Sequence, residues 1–439
     1  MHGSRLIAND AEREPVALPV FRSEAGLVQG DESEGSVRRV LPAVIILNLS
    51  YSGLAIARSL RRKNIRILGL SSNPGRAGNF TRCCQVQIAP DSQERPAELL
   101  SFMMGLTQEF AGAVVFPTRD ADVVFLDRFR KELSSKFRLC LPSKSSLAST
   151  LNKKDLACVA RQAGVPTPNT IAVHCVADLG RVPEEVGFPC VVKPVSSVDW
   201  RSSQSWAKAG CRKAFLANDA EQLRREYEQV SLAHPCVLIQ EWVPGPTENI
   251  VVVGAYVNEN SEPIEYFTAR KLLQSPDDFG TGCVVASEDI PELLEPSRVL
   301  WKALQYRGLA EIEYKQDNRT GEYRLIEINT RHWDQHQLGE ATGTNLTWTA
   351  YCDLAGLEVA VSRRPYRRIK WVAEDAVILY VLQTALGRPR STVKLLKFLK
   401  GRRMYAVFAW YDPGPLLHYI VCGLLPFLGR SLWKRITRG

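Results

Sequence analysis

The sequence predicts an α/β fold that turns α+β around a central cleft, on three observations. The first apolar run, VLPAVIILN, is unbroken and β-branched, and an amphipathic helical stretch and a second run, IRILGL, follow it, which is a βαβ opening. The same alternation of strand and helix continues through GAVVFPTRDADVV and FRLCLPS to about residue 142. Beyond residue 250 the chain instead alternates apolar and polar residues over long stretches, as paired antiparallel strands do. A length of 439 residues exceeds one compact core, so two or three domains are expected.

Composition narrows the class. Apolar residues make up 45% and charged residues 23%, the proportions of a water-soluble globular protein. The eleven cysteines are scattered without a CxxC pair, and adjacent Cys83 and Cys84 suit neither a tetrahedral metal site nor an easy disulfide. Reduced thiols in a cytoplasmic protein are the simplest account. The first twenty residues lack an apolar run, so no signal peptide is expected, and residues 1–38, polar and rich in Glu, Gly and Ser, read as a disordered leader. The net charge of +9 is uneven. Residues 361–439 hold sixteen Lys plus Arg against three Asp plus Glu, a balance of +13, which leaves −4 for the other 360 residues.

Taken in order, the turn Asn48–Gly53 joins the first strand to its helix. It has one glycine where a dinucleotide fingerprint has three, so it reads as an eased turn and not as a nicotinamide site. Next, SLASTLNKKDLACVARQAGVPTP is a helix carrying Lys153 and Lys154, closed by Gly164, with Pro166 and Pro168 opening an extended segment. FPCVVKPVSS puts Lys193 at the end of a short strand, before a serine-rich loop that runs to Gly210. AEQLRREYEQVSLA is a helix and CVLIQEWVPG a strand, followed by two antiparallel strands joined at Asn258–Ser261 and a helix around 291–306. Finally LAEIEYKQD and YRLIEINTR form a hairpin around NRTGE.

That last strand is unusual. In an extended chain residues i and i+2 share a side, so Leu325, Glu327, Asn329 and Arg331 line up on one face, with Ile326 and Ile328 on the other. An unpaired carboxylate pointed inward is costly, so this face looks onto solvent or onto a cation.

In order along the chain stand a lysine eleven residues before Gly-Val-Pro, a lysine at a strand end, Glu-Trp-Val-Pro-Gly, a Glu on one strand, and Glu-x-Asn-x-Arg on its neighbour. This order resembles the ATP-grasp superfamily over about residues 40–362. Within it, EYKQDNRTGEYRLIEINTRHW looks most like carboxylate–amine ligases of the D-aspartate ligase and carbamoyl-phosphate-synthetase-like group. The resemblance implies a Rossmann-like pre-grasp domain over 39–142 and an ATP-grasp domain over 143–362 with a mobile lid at about 186–243. A basic and apolar C-terminal appendage over 363–439 completes the expected organisation. It also implies ATP as co-substrate and magnesium, or manganese in its place, held by Glu313, Glu327 and Asn329, since hard cations take oxygen ligands. Arg331 would hold the transferring phosphoryl group, with a guanidinium fork suited to bidentate contact, and Lys271 would stand near the γ-phosphate. Lys153 and Lys193 match the two nucleotide-binding lysines, with Lys154 competing for the first role. Asn152 stands where the family usually has Asp. Glu241, Trp242 and Val243 would hold adenine, Glu241 at its exocyclic amine, and Glu248 the ribose.

The usual glycine-rich phosphate loop is replaced by VSSVDWRSSQSWAKAG, in which serines, Lys208 or Lys213 would cover phosphate. His332 and His336 lie close enough to line the acyl-phosphate pocket, although solvated histidines are the commoner outcome after a strand. The implied reaction activates a small carboxylate as an acyl phosphate and transfers it to an amine, the acid and amine being amino acids or an envelope precursor. Carboxylation or other acyl-phosphate chemistry is the alternative, as is a membrane-surface module built on the basic tail. Specific nucleic-acid binding is not expected, and a homo-oligomer is compatible with the pattern. In the tail, 376–386 reads as a buried helix. The run PLLHYIVCGLLPFLG at 415–429, flanked by Lys394, Lys397, Lys400, Arg402, Arg403, Arg430, Lys434, Arg435 and Arg438, either packs on the core or lies in a membrane interface. The latter places the protein at the inner face of the membrane.

Overall fold

Short β-branched runs of the N-terminal part pair edge to edge into a parallel sheet. The computed structural model describes residues 41–196, 198–200, 203–359, 367–385 and 400–426. The expected leader at 1–38 lies outside them, as do Lys394, Lys397, Arg430, Lys434, Arg435 and Arg438. The described residues fall in one compact unit that starts at Leu41. Strands β1 (Val44–Leu47), β2 (Ile67–Ser71), β3 (Gln85–Ile88), β4 (Val114–Phe116) and β5 (Arg138–Leu139) form the order β3-β2-β1-β4-β5. Every pair is parallel, and β1 lies central and fully buried, as its continuous apolar run requires. Gly53 opens the helix Tyr51–Leu60 as an eased turn needs: a Cβ there would stand 2.0 Å from the Asn48 carbonyl oxygen.

A second sheet of four antiparallel strands has the order β6-β9-β7-β8, with β6 Thr170–Val173, β7 Cys190–Pro194, β8 Phe215–Ala217 and β9 Val237–Glu241. It begins at Thr170, earlier than the lid expected from residue 186, because β9 needs β6 to cover its second edge. Trp200 is buried in this unit's own core, edge-on to Phe215 at 5.7 Å.

The third sheet has seven strands: β10 Ile250–Val257, β11 Pro263–Ser275, β12 Thr281–Ser287, β13 Gly308–Gln316, β14 Tyr323–Asn329, β15 Lys370–Val372 and β16 Arg403–Tyr405, in the order β14-β13-β10-β11-β12-β15-β16. One face packs Val251, Val253, Ile312 and Tyr314 against Trp301 and the helix Lys153–Gln162. The other joins Val252, Tyr256 and Trp371 to Val44, Ile46 and Phe116, so the first and third sheets share a core.

Two expectations are corrected here. The strict alternation along 325–331 fails because the register shifts between Glu313 and Tyr314: Tyr314 faces Leu325 and Glu313 faces Glu327, leaving Ile326 as a bulge. Leu325 therefore joins Ile328 in the core, and Ile326 turns to the same side as Glu327. The appendage expected from residue 363 joins the core in its described residues, where β15 and β16 extend the third sheet. Around them Glu374 accepts from the amides of Ala406 (3.0 Å) and Val407 (3.1 Å), and Asp412 takes Arg58 Nε at 2.9 Å and Thr81 Oγ1 at 2.8 Å in full burial. The helix Glu374–Ala385 seats Val377 in the shared core, with Ala376, Tyr380 and Val381 partly buried against it.

Candidate functional site

Antiparallel register sets four polar side chains on one surface. Glu313 stands opposite Glu327 and Glu311 opposite Asn329, and directly opposed residues share a face. Next to them on the sheet, Gly254 leaves room for the Trp333 ring, which a Cβ would meet at 2.4 Å. Lys271 on β11 donates to Glu313, both largely buried, and Lys153 Nζ lies 3.7 Å from Glu327. Lys153 reaches there because Asn152 caps its helix, accepting from the amides of Lys154 (3.0 Å) and Asp155 (3.3 Å). An amide serves that cap as an aspartate would.

Charge crowds this surface. Burial works to raise Glu327, but Lys153, Lys271 and Lys193 hold it at about 2, ionised at any ordinary pH. Burial pushes Glu311 up to about 8 in spite of Lys271, so its carboxyl is mostly protonated at neutrality. It accepts from Asn329 Nδ2 at 2.9 Å and Gln335 Nε2 at 3.1 Å. Lys193 is lowered to about 7 by burial and by nearby Lys153. Its ammonium donates to Gln240 Oε1 at 2.7 Å, and Gln240 is oriented by donating to Thr170 Oγ1 at 2.9 Å.

Two cavities meet at this surface. One, of about 390 Å³, is lined by Lys193, Gln240, Glu241, Trp242, Val243 and Ile326. The other, of about 600 Å³, is lined by Asn329, Arg331, Asp120, Glu311 and residues that follow the first sheet's strands. Lys153, Lys213, Lys271, Glu313, Glu327 and Trp206 line both. Arg331 Nε donates to Asp120 Oδ1 at 2.6 Å and its Nη2 to Asn329 Oδ1 at 3.2 Å, which fixes the fork at the edge of the second cavity.

The structure thus brings together Lys153, Lys193, Glu241, Trp242, Val243, Lys271, Glu313, Glu327, Asn329 and Arg331. Lys154 is exposed and lines neither cavity. Glu248 sits in the turn Thr247–Asn249 with its carbonyl accepting from Arg270 (2.7 Å). Thr247 and Ile250 line the first cavity and Glu248 does not. The Glu241 carboxylate turns to Arg324 (2.9 Å) and Arg319 (3.1 Å), so it is held by two guanidiniums. Of the two loop lysines, Lys208 is exposed and Lys213 reaches both cavities, donating to Thr281 Oγ1.

The histidines are neither solvated nor at the pocket. His332 and His336 are buried, bonded to Thr347 Oγ1 (3.0 Å) and the Trp333 carbonyl (2.7 Å), and burial lowers both, His336 to about 4. They line neither cavity and are neutral core groups. Sequence reasoning missed Glu311, Gln240 and Asp120. Glu311 was legible, two residues before Glu313 on the same strand face. Asp120 carried no signal, because its partner is 211 residues away.

Residues 152–355 match the model of the family described as carbamoyl-phosphate synthase L chain, ATP binding domain. The chain is 24% identical over 280 residues to the D-aspartate ligase of Enterococcus faecium (strain Aus0004), covering 61% of this chain and 65% of that one. It is 23% identical over 308 residues to the carbamoyl phosphate synthase large chain, N-terminal section, of Methanopyrus kandleri, covering 64% of this chain and 49% of that one. The chain therefore spans less than two thirds of either relative. Among solved structures, the ADP complex of N5-carboxyaminoimidazole ribonucleotide synthetase superposes with a TM-score of 0.59 at 16% identity, over 80% of this chain and 87% of that one.

Proposed function

We propose, from the ATP-grasp fold that the chain shares with its structural neighbours and from the family match over residues 152–355, that it is an ATP-dependent carboxylate–amine ligase. The observation that carries this reading is the Glu313–Glu327 face with Lys153 and Lys271, set where the two cavities meet. The first cavity suits adenine and ribose, between the Trp242 segment and Ile326. Lys153 and Lys193 bind the phosphates. Glu313, Glu327 and Asn329 offer oxygens on one surface, with Glu327 ionised, and this donor set fits magnesium or manganese. Bound there, the cation would neutralise charge on the phosphate chain.

Arg331, braced by Asp120, is aimed into the second cavity and orients the acid there. In the first step an oxygen of the acid attacks the γ-phosphorus and the bond to ADP breaks, which yields an acyl phosphate. In the second step an amine nitrogen attacks the acyl carbon, phosphate departs, and the surplus amine proton leaves to water. Lys271 and Arg331 stabilise the charge that develops on the transferring group, which is where electrostatic catalysis acts. The substrate class is a small carboxylic acid and an amine. The test is phosphate release with MgATP across a panel of acids and amines, repeated with Glu327→Gln. We expect acid- and amine-dependent release, lowered about 10²-fold in the variant with its fold intact. Near-normal release from the variant would remove this face from the reaction.

A second reading concerns the tail. Gly414–His418 continues as a helical stretch to Leu424, and Leu417, Val421 and Leu425, spaced four apart, are all more than half exposed. Among the described residues no helix is long and apolar enough to cross a membrane. We read this stripe, with the basic residues that flank it in sequence, as a membrane-interface contact that brings the ligase to a lipid surface at the cytoplasmic face. Liposome flotation of the full chain checks this: anionic vesicles should carry it at low salt and release it at high salt. A chain that stays behind at low salt has no such contact.

A further inference from the structure

The second cavity contains a polar corner that the reaction described above leaves unused. It lies at the carboxyl ends of three parallel strands. Asn48 follows β1, Arg76 lies in the loop after β2, and Arg119 follows β4. Because β2 and β4 flank β1 on opposite sides, this is where the strand order reverses, the crevice in which open α/β sheets bind ligands.

Asn48 is the informative residue. It is 6% exposed, holds a left-handed backbone (φ 72°), and neither its side-chain nitrogen nor its oxygen has a hydrogen-bond partner. A buried amide left unpaired on both atoms is costly, so it marks a place where something binds. The residue lines the second cavity, and a Cβ at Gly53 would stand 2.0 Å from its carbonyl oxygen, so only glycine fits beside it. Arg76 adds a second such group: its Nε is buried and unbonded, and among the described residues no carboxylate pairs with it. Arg119 differs, because Asp91 (3.0 Å) and Asp122 (2.8 Å) already hold its fork in place. The corner therefore offers an unpaired amide and a guanidinium whose buried Nε is unbonded, both lining the cavity that Arg331 also lines.

Resting on the ligase reading, we propose that Asn48 and Arg76 form a subsite for a second anionic group on the acid, a carboxylate or a phosphate, apart from the carboxylate that is activated. Arg76 supplies the charge and Asn48 Nδ2 a directed donor. Arg119 borders the subsite as a positioning residue. An acid with only one carboxylate leaves both groups unpaired, and this sets specificity.

The test is calorimetric titration of the full chain with succinate, 3-phosphonopropionate and propionate, on the parent and on Arg76→Gln and Asn48→Gly. Glycine keeps the left-handed backbone open to Asn48→Gly. We expect the two dianions to bind at least about tenfold tighter than propionate, and each variant to remove that preference while propionate and ATP affinities stay unchanged. Whichever dianion binds tighter identifies the second group as carboxylate or phosphate. Equal affinity for all three acids, or a preference that survives both variants, overturns the subsite. The two readings separate cleanly. Arg76-dependent dianion binding without any MgATP-dependent phosphate release leaves the subsite and removes the ligase. Release that ignores the second anion does the reverse.

Discussion

Lys193 is a cation placed where burial and a neighbouring lysine work against its charge, which brings it to about 7. In the unfolded chain it keeps its proton to about 10.4. Its folded value is thus depressed, so the unfolded state binds more protons from about pH 7 to 10, and this residue's contribution to stability rises with pH across that window. The arrival of phosphate oxygens favours the ammonium. At pH 8, therefore, MgATP binding should take up a proton, measured as binding heats that differ between buffers of different ionisation enthalpy. Lys193→Arg, which keeps the charge at every pH, should bind with that uptake gone. Equal uptake by the variant would show that the proton goes elsewhere. The sequence placed Lys193 at a strand end, but the Gln240 and Thr170 contacts that hold it come from strands 47 and 23 residues away, and no local pattern announces them.

At the level of elements, legibility followed the range of the interactions. The parallel opening and the β13–β14 hairpin were readable because their periodicity is local and burial enforces it. The bulge at Ile326 was not, since a register shift is settled by the partner strand and leaves no mark on composition. The first cavity's wall has a similar history: in the segment that stands in place of a glycine-rich loop, the short helix Ser203–Lys208 brings Trp206 to both cavities while Lys213 donates to Thr281 on β12. A wall that crosses from the four-stranded sheet to the large sheet beside both cavities is expected to open and close to admit nucleotide. Nucleotide should slow amide exchange in residues 205–213 while β7 and β9 change little. Identical exchange with and without a non-hydrolysable ATP analogue would make it a fixed wall.

Across the whole molecule, the tail is a structural partner of the first sheet. The Arg58 guanidinium, 1% exposed, is met by the Asp412 carboxylate and by the carbonyls of Ala406 (3.1 Å) and Val407 (2.7 Å). Removing one member of a buried pair strands the other, so Asp412→Ala should cost about 3–5 kcal/mol in denaturant unfolding. Replacing both members by apolar residues of similar size should cost much less. An Asp412→Ala loss below about 1 kcal/mol would mean that water reaches Arg58 freely. The same pair also sets a clock on biosynthesis. Its members are 354 residues apart, and at 5–20 residues per second a ribosome needs roughly 20–70 s to pass from one to the other. Through that interval the helix Tyr51–Leu60 waits with its guanidinium unmatched. The nascent N-terminal part is thus exposed to proteases and chaperones until β15, β16 and Asp412 arrive to close it.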